Sequence, residues 1–340
     1  FFTGSGSEAN DTNIRLVRRY WDLQDKPNKR IIISRKNAYH GSTIASASLG
    51  GFKSVHQQFE TLPYVEHIVD PNWFVNGGDL SPEEFGLQAA RALEEKIDQI
   101  GEENIAAFIA EPIQGAGGVI VPPDSYWPEV SRILKARDIL FISDEVICGF
   151  GRTGSLFGCQ TLGTEPDLIT FAKAVTNGFQ PLGGVLVSDK VASVITAKGG
   201  EFAHGFTYSG HPIACAAAMA TLDIMQSDNI FQTVHDHSAP YLQKRWAELG
   251  QHPIVGHTRG LGMFGSMELV RNKETRERLA PDQVSGGVCR DLSIANGLVM
   301  RAVGDSMIIS PPLICNHAEI DTIIERVTQA LDQTADYFSV

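Results

Sequence analysis

Two polar side chains follow apolar segments that are typical of buried strands, and both could take part in catalysis. Asp144 comes directly after the apolar run Ile139–Ser143, and Lys173 closely follows the run Leu168–Phe171. Ligands of open α/β sheets bind at the carboxyl ends of the strands. The apolar neighbours of Lys173 predict partial desolvation, which favours the neutral and nucleophilic form of an amine. For either residue alone, a structural ion pair or a solvated strand end is the more frequent outcome.

A glycine-rich turn opens the chain just before a helical pattern. Ser5 and Glu8 fit a capping box, which predicts a helix start here. Backbone N–H groups, the missing Cβ of Gly6 and the hydroxyls of Ser5 and Ser7 could hold a phosphate at that helix start. The letters of Gly4–Ala9 also fit the G-x-G-x-x-A fingerprint of dinucleotide-binding proteins. That alternative requires a preceding strand and a later acid, but the next predicted strand is followed by two basic residues. An ordinary capped helix is the third interpretation.

The three features together are the parts that pyridoxal 5'-phosphate requires. A lysine bonds to the cofactor aldehyde, and an aspartate keeps the pyridine nitrogen protonated so that the ring accepts electrons from a substrate carbanion. We therefore predict Lys173 and Asp144 as catalytic residues and the turn Ser5–Ser7 as the phosphate site.

Strand and helix patterns alternate over residues 1–230. The candidate strands lack polar alternation, as expected for strands buried on both faces of a sheet. They are Arg30–Ser34, Ile105–Ala110, Ile139–Ser143, Leu168–Phe171 and Gly184–Val187. The alternation predicts a mainly parallel α/β sheet with helices on both faces.

The pattern changes over residues 231–340. A long helical stretch, Phe231–Leu249, leads into the apolar segment Gly262–Leu269 and a helix near Val284–Asn296. Two short strands around Val299 and Ile308 precede a last amphipathic helix. We predict a large domain over residues 1–230 and a small C-terminal α+β domain over residues 231–340.

Composition excludes several classes of function. The net charge of −12 argues against nucleic acid and anionic membranes as partners. No apolar run is long enough to span a bilayer. Five scattered cysteines predict neither a disulfide framework, nor a metal site, and favour a cytoplasmic location. Because Phe1 is not an initiator methionine and the chain opens on a turn, we expect the N-terminal portion of a longer protein to be missing.

Seven segments, in order along the chain, resemble the class III aminotransferases, the ω-transaminase family of fold-type I enzymes. They are SGSEAND (Ser5–Asp11), NAYHGST (Asn37–Thr43), AEPIQGAGGVI (Ala110–Ile120), ISDEVICGFGRTG (Ile142–Gly154), DLITFAKAVTNGFQPLGG (Asp167–Gly184), HGFTYSGHP (His204–Pro212) and MRAVGD (Met300–Asp305). The last two are most similar to the amine:pyruvate branch of the family.

The resemblance implies further residues around the cofactor. The tyrosine matching Tyr39 stacks on one face of the pyridine ring, and the residue matching Val146 packs on the other. Glu111 and Gln114 match positions that line the site near the ring. His40, beside Tyr39, is assigned no role. Without the resemblance, Val146 is simply a core residue and Tyr39 a loop tyrosine with a solvated hydroxyl.

Two more residues gain a role only through the resemblance. The threonine matching Thr207 reaches the phosphate of the partner subunit's cofactor, which implies a homodimer with shared active sites. The arginine matching Arg301, after the predicted strand Leu298–Met300, clasps the substrate carboxylate and swings away for an amine that lacks one. In isolation these are a loop threonine and a surface arginine.

The expected reaction is a ping-pong transfer of an amino group from an amine or ω-amino acid to a 2-oxo acid such as pyruvate. Within the family, aminotransferases of ornithine, 4-aminobutyrate or diaminopelargonate and the aminomutases are the alternatives. An NAD(P)-dependent oxidoreductase built on Gly4–Ala9 and a cofactor-less scaffold are the alternatives from other classes.

Overall fold

The computed structural model describes residues 1–340, which form two compact units. The first unit comprises Phe1–Gln114, Pro122–Phe150 and Phe157–Asp228, and the second comprises Gly115–Val121, Gly151–Leu156 and Asn229–Val340. The division drawn from the sequence did not assign the two short inner segments to the second unit. Whether the units act as separate domains stays a prediction.

The first unit is built on a seven-stranded sheet. Its strands are β1 (Phe2–Thr3), β2 (Ile31–Arg35), β3 (Val65–Ile68), β4 (Ile105–Ala110), β5 (Leu140–Asp144), β6 (Leu168–Phe171) and β7 (Gly183–Val187). Their order is β1-β7-β6-β5-β4-β2-β3. The strands from β2 to β6 are parallel, whereas β7 and β1 are antiparallel to their neighbours. The predicted α/β class with a mainly parallel sheet is confirmed.

Helices of the first unit cover both faces of this sheet. They are α1 (Gly6–Leu23), α2 (Ile44–Leu49), α3 (Lys53–His56), α4 (Trp73–Asn76), α5 (Pro82–Ile100), α6 (Tyr126–Ala136), α7 (Gly158–Thr161), α8 (Asp189–Lys198) and α9 (Pro212–Ser227), with short 3₁₀ helices at Glu102–Asn104 and Lys173–Thr176.

Successive residues of the central strands enter two different cores. Ile33 and Phe108 pack with residues of α5 and α6, whereas Ile32 and Ile109 pack with residues of α1. Because side chains alternate across a strand, a strand covered on both faces must be apolar at every position. This double burial explains why the strands lack polar alternation.

The parallel pairing of β5 with β6 brings the two predicted catalytic residues to one edge of the sheet. Asp144, the last residue of β5, lies opposite Thr170 of β6 in the strand register. The chain leaves β6 after Phe171, so Lys173 emerges at the same edge.

The second unit contains an antiparallel sheet of five strands. They are β8 (Val255–Arg259), β9 (Gly265–Asn272), β10 (Glu277–Arg278), β11 (Arg301–Val303) and β12 (Ser306–Ile309). Strand β9 pairs with β8, β10 and β12, and β12 pairs with β11. The prediction of only two strands here was wrong. Strand β9 lies largely in the predicted apolar segment Gly262–Leu269, which was not assigned as a strand, and β8 and β10 are short and largely polar. Arg301 begins β11, so the predicted strand at Leu298–Met300 lies too early in the chain.

Helices of the second unit are α10 (Ile230–Thr233), α11 (Ala239–Glu248), α12 (Ser285–Ala295) and α13 (His317–Phe338). A π-helical turn, Val234–Ser238, and a 3₁₀ turn, Leu249–Gln251, interrupt the helix predicted over Phe231–Leu249. Another 3₁₀ turn is Pro281–Gln283. The stripe predicted on the last helix is confirmed, since Ile320, Ile324, Val327 and Leu331 of α13 are buried.

None of the helices is both long enough and apolar enough to cross a membrane.

Candidate active site

A cavity of about 380 Å³ lies at the carboxyl edge of the first unit's sheet, next to the start of α1. Residues from five separate parts of the chain line it. Among them are most of the residues predicted from the sequence, namely Ser5, Gly6, Ser7, Tyr39, Glu111, Asp144, Val146 and Lys173. The fold therefore gathers the predicted phosphate turn, acid and lysine in one place.

The glycine-rich turn begins α1, as predicted, but only half of the capping box forms. The Ser5 hydroxyl is the N-cap and accepts a hydrogen bond from the backbone N–H of Glu8 at 3.2 Å. The Glu8 carboxylate instead accepts from the backbone N–H of Gly4, at 2.6 Å. The first-turn N–H groups of such a helix lack partners within the helix and favour an anion.

Gly6 is packed too closely for any larger residue. A Cβ atom built on Gly6 would lie 2.9 Å from Cγ2 of Val146, closer than carbon atoms approach without a shift. Val146 follows Asp144 on the loop after β5. The absence of a side chain at Gly6 thus brings the phosphate turn directly against the segment that carries the acid.

The Asp144 carboxylate is buried and accepts hydrogen bonds from three parts of the chain. Its Oδ2 atom lies 2.8 Å from Nδ2 of Asn10 and 2.7 Å from Nδ1 of His40. Its Oδ1 atom accepts from the backbone N–H of Val146 at 3.1 Å. Sequence reasoning missed Asn10 and assigned no role to His40. A polar residue on the inward face of α1 was the one indication that Asn10 has a specific partner.

Glu111 is a second buried acid in the lining. Burial raises the pKa of the Glu111 carboxyl above its usual value, and the charge of neighbouring His40 opposes this shift. Its Oε1 accepts from the backbone N–H of Tyr39 at 3.0 Å, and the Arg35 guanidinium donates to its carbonyl oxygen. Gln114, by contrast, does not line this cavity; it is buried and its amide donates to the carbonyl of Lys36 at 2.9 Å.

Tyr39 lies in the lining with its ring partly exposed. Its hydroxyl is 3.0 Å from the Ser42 hydroxyl, and the backbone N–H of Ser42 donates to the Ser7 hydroxyl at 3.1 Å. These contacts connect the loop that carries Tyr39 to the glycine-rich turn. An exposed aromatic face beside the cavity is suited to stack on a flat ligand.

Lys173 begins the 3₁₀ helix Lys173–Thr176 in a left-handed backbone conformation, with φ of 49°. This conformation costs a residue other than glycine about 1–3 kcal/mol, and residues that adopt it cluster at functional sites. The Lys173 side chain is exposed in the isolated chain. The predicted desolvation is therefore wrong for the chain alone, because the apolar residues Phe171 and Ala172 are buried below it and do not cover it.

Besides Gln114, two predicted residues do not line this cavity. Thr207 is exposed and lines a neighbouring cavity of about 600 Å³, which shares Gly4, Gln180 and Pro181 with the first. Arg301 belongs to the second compact unit, where its side chain is exposed.

The residues present fit the predicted cofactor. A helix start with serine hydroxyls suits a phosphate, a buried carboxylate suits a protonated pyridine nitrogen, and an exposed primary amine suits an aldehyde. Val146 and Tyr39 both line the cavity, and an apolar side chain and a flat aromatic ring are suited to contact a planar ligand.

The dinucleotide alternative does not fit the sheet topology. The dinucleotide fingerprint follows a strand of a parallel βαβ unit. Here the strand before the glycine-rich turn is β1, a two-residue edge strand that pairs antiparallel with β7.

Comparisons with known proteins give a consistent result. The family model described as aminotransferase class-III matches residues 1–331. The putrescine–pyruvate aminotransferase of Pseudomonas aeruginosa is 56% identical over 98% of this chain, which spans 73% of that protein. The chloroplastic gamma aminobutyrate transaminase 3 of Solanum lycopersicum is 44% identical over 98% of the chain, which spans 65% of that protein.

A solved structure agrees with these sequence relatives. The omega transaminase from Pseudomonas jessenii in complex with PMP is 39% identical, with a TM-score of 0.96. The match covers 100% of this chain and 76% of that structure's chain.

The contact between Gly6 and Val146 generates a prediction about stability. Gly6→Ala should lower the free energy of unfolding by about 1–3 kcal/mol, because the new methyl group has no space. Gly287→Ala is the matched control: it lies in α12, where a Cβ meets nothing within 4 Å. The control should raise stability by about 0.5–1 kcal/mol. Urea unfolding followed by circular dichroism measures both changes, and a Gly6→Ala protein as stable as the wild type would contradict the packing argument.

Proposed function

This chain belongs to the class-III aminotransferases, which depend on pyridoxal phosphate, and we propose here how its residues transfer an amino group from an amine to a 2-oxo acid. The observation that carries the proposal is the shared cavity in which Lys173, Asp144 and the Ser5–Ser7 turn meet.

Pyridoxal phosphate, when bound, supplies an aldehyde that bonds to amines and a pyridinium ring that draws electrons from the carbon next to the nitrogen. Lys173 is the residue whose amine would hold the cofactor covalently. Once free, the same amine would act as the base that takes the proton from the substrate carbon bearing the nitrogen, and as the acid that gives this proton back. Its exposed side chain has the freedom that these successive tasks require.

The other residues of the cavity orient the ring. The buried carboxylate of Asp144 would accept a hydrogen bond from the ring nitrogen and keep that nitrogen protonated. Val146 and Tyr39 would pack against the ring, and Ser5, Gly6 and Ser7 would bind the phosphate. Glu111 also lines the cavity, and its carboxylate supports the loop of Tyr39 by accepting a hydrogen bond from the Tyr39 backbone N–H.

Replacing the lysine tests the assignment directly. Lys173→Ala should abolish turnover and also the visible absorbance of the covalently bound cofactor, because no amine remains to form the bond. Lys198→Ala, at the exposed end of α8, should leave both unchanged. Absorbance spectra after addition of pyridoxal phosphate and a coupled assay of amino transfer measure the two effects. Amino transfer retained by the Lys173→Ala protein would contradict the mechanism.

We propose an aliphatic diamine such as putrescine as the amino donor and pyruvate as the acceptor. The proposal rests on the Pseudomonas aeruginosa relative, which is named for both substrates and is 56% identical. The second candidate donor is 4-aminobutyrate, for which several relatives of 41–44% identity are named. The two donors differ chemically at the end remote from the reacting amine, where one carries a cation and the other a carboxylate.

Arg301 provides the test of these substrates. A guanidinium binds a carboxylate bidentately and gains nothing from a diamine. Arg301→Ala should therefore raise KM for pyruvate about 10-fold or more, as expected for a lost charge-assisted hydrogen bond. The donor half-reaction with putrescine should change little, whereas that with 4-aminobutyrate should weaken. Arg301→Lys keeps the charge without the planar pair of donors, so its KM for pyruvate should lie between those of the wild-type protein and Arg301→Ala. Equal effects on both donors would count against this role for Arg301.

We further propose that the enzyme is a homodimer whose subunits complete each other's sites. Helix α9 buries only the small side chains of Ala214 and Ala218, although the helix is mostly apolar. The exposed apolar side chains on and near it, which we call the apolar patch, are Phe179, Tyr208, Ile213, Met219 and Ile224, and the helix packs against Lys173–Thr176. Large apolar side chains left exposed in one region are typical of subunit interfaces. Thr207, adjacent to Tyr208, would then face the partner's cofactor.

A charge in this patch should disrupt the dimer. Met219→Glu should shift the protein toward monomer in light scattering after size-exclusion chromatography, because burial of a carboxylate in an apolar interface is unfavourable. Tyr337→Glu, at an exposed position of α13, is the control and should leave the mass unchanged. A monomeric wild-type protein that still transfers amino groups would exclude the shared site.

A cytoplasmic location stays a prediction; the five cysteines are free, which is consistent with a reducing compartment.

A further inference from the structure

The two oxygens of the Asp144 carboxylate have different surroundings. Oδ2 accepts two side-chain hydrogen bonds, from Asn10 and His40, whereas Oδ1 accepts one, from the backbone N–H of Val146. Each oxygen of a carboxylate offers about two lone-pair positions. Oδ2 is therefore filled, whereas Oδ1 keeps one acceptor position without a partner, and Asp144 lines the cavity.

A network behind Asp144 determines the orientation of the Asn10 amide. The Thr170 hydroxyl donates to Oδ1 of Asn10 at 2.8 Å, and the Asn13 amide donates to the same atom at 3.1 Å. Asn13 also donates to the Thr170 hydroxyl at 2.6 Å. With its oxygen used in this way, Asn10 directs its NH₂ group to Oδ2 of Asp144 and, at 2.7 Å, to the carbonyl of His40. Every donor and acceptor position of the Asn10 side chain is thus occupied.

His40 contributes the second donor to Oδ2. Its side chain is fully buried, and its Nδ1 atom must carry a proton because an ionised carboxylate can only accept. The other ring nitrogen, Nε2, is buried without a hydrogen-bond partner. Burying an unpaired polar atom is unfavourable, and an apolar side chain of similar size would avoid that cost. What a histidine adds at this position is the Nδ1–H contact to Asp144.

We infer that His40 and Asn10 are positioning residues: they occupy Oδ2 of Asp144 and so leave Oδ1 as the oxygen that pairs with the ring nitrogen of the cofactor. This inference rests on the proposed function of Asp144. Without the two donors, the backbone N–H of Val146 is the one hydrogen bond left to orient the carboxylate, and the ring nitrogen would lose an acceptor of well-defined direction.

Two substitutions of His40 distinguish the role of its Nδ1 atom from that of its Nε2 atom. The amide nitrogen of asparagine takes about the place of Nδ1 of histidine, and that of glutamine takes about the place of Nε2. His40→Asn keeps a donor toward Oδ2, whereas His40→Gln and His40→Leu remove it. His67→Leu is the control, since His67 is a partly buried histidine that contacts the Gly50 carbonyl and does not line the cavity.

The experiment titrates each cofactor-free protein with pyridoxal phosphate and records the dissociation constant, the visible spectrum of the bound cofactor and the free energy of unfolding. His40→Asn should bind with about the wild-type affinity and spectrum. His40→Leu and His40→Gln should bind about 10-fold more weakly or worse, as expected for a lost hydrogen bond to a charged group, and with an altered spectrum. His67→Leu should lower stability alone.

Two results would overturn the inference. One is wild-type affinity and spectrum in His40→Leu, which would make His40 a core residue only. The other is rescue by His40→Gln but not by His40→Asn, which would mean that Nε2 is the nitrogen that matters. If His40→Leu does not fold, the comparison of the asparagine and glutamine variants still decides. Failure of the wild-type protein itself to bind pyridoxal phosphate would instead contradict the proposed function.

Discussion

Burial of the Asp144 carboxylate is the constraint on which the rest of the site depends. A carboxylate withdrawn from water is stable only where hydrogen-bond donors replace the lost solvent. The donors come from α1, from the loop after β2 and from the backbone after β5. The Asp144 carboxylate therefore connects helix α1, the loop after β2 and the central sheet. These contacts fix the position of the turn at the start of α1 relative to Asp144.

The same packing separates a buried part of the site from an exposed part. Asp144 is held by buried hydrogen bonds, and a Cβ atom on Gly6 would lie only 2.9 Å from Cγ2 of Val146. Lys173 lies on the opposite side of this division, exposed at the start of a short 3₁₀ helix. An acid that pairs with a ring nitrogen has to keep its direction, whereas a lysine that bonds, leaves and carries a proton has to move. The proposed roles match these physical properties.

Helix α9 packs against the segment Lys173–Thr176, and both Lys173 and several apolar side chains of α9 are exposed. In the proposed homodimer, a second copy that covered both would remove water from both. Desolvation of the lysine, which the apolar sequence around it suggested, would then come from the partner subunit rather than from its own strand.

The sequence by itself determined the fold class, the family and eight of the residues that line the cavity. Apolar strands without alternation require a sheet covered on both faces, and acids or amines that follow such strands must come to one edge of it. It did not determine the half-formed capping box, the exposure of Lys173 or the network of Asn10, His40 and Thr170 around Asp144. The network depends on contacts between residues 30 to 160 positions apart, and the local pattern of a sequence carries no distance between such residues. Only the packing of α1 and of the loop after β2 around the end of β5 decided which polar side chains reach the buried carboxylate, because burial leaves each of its oxygens room for very few partners.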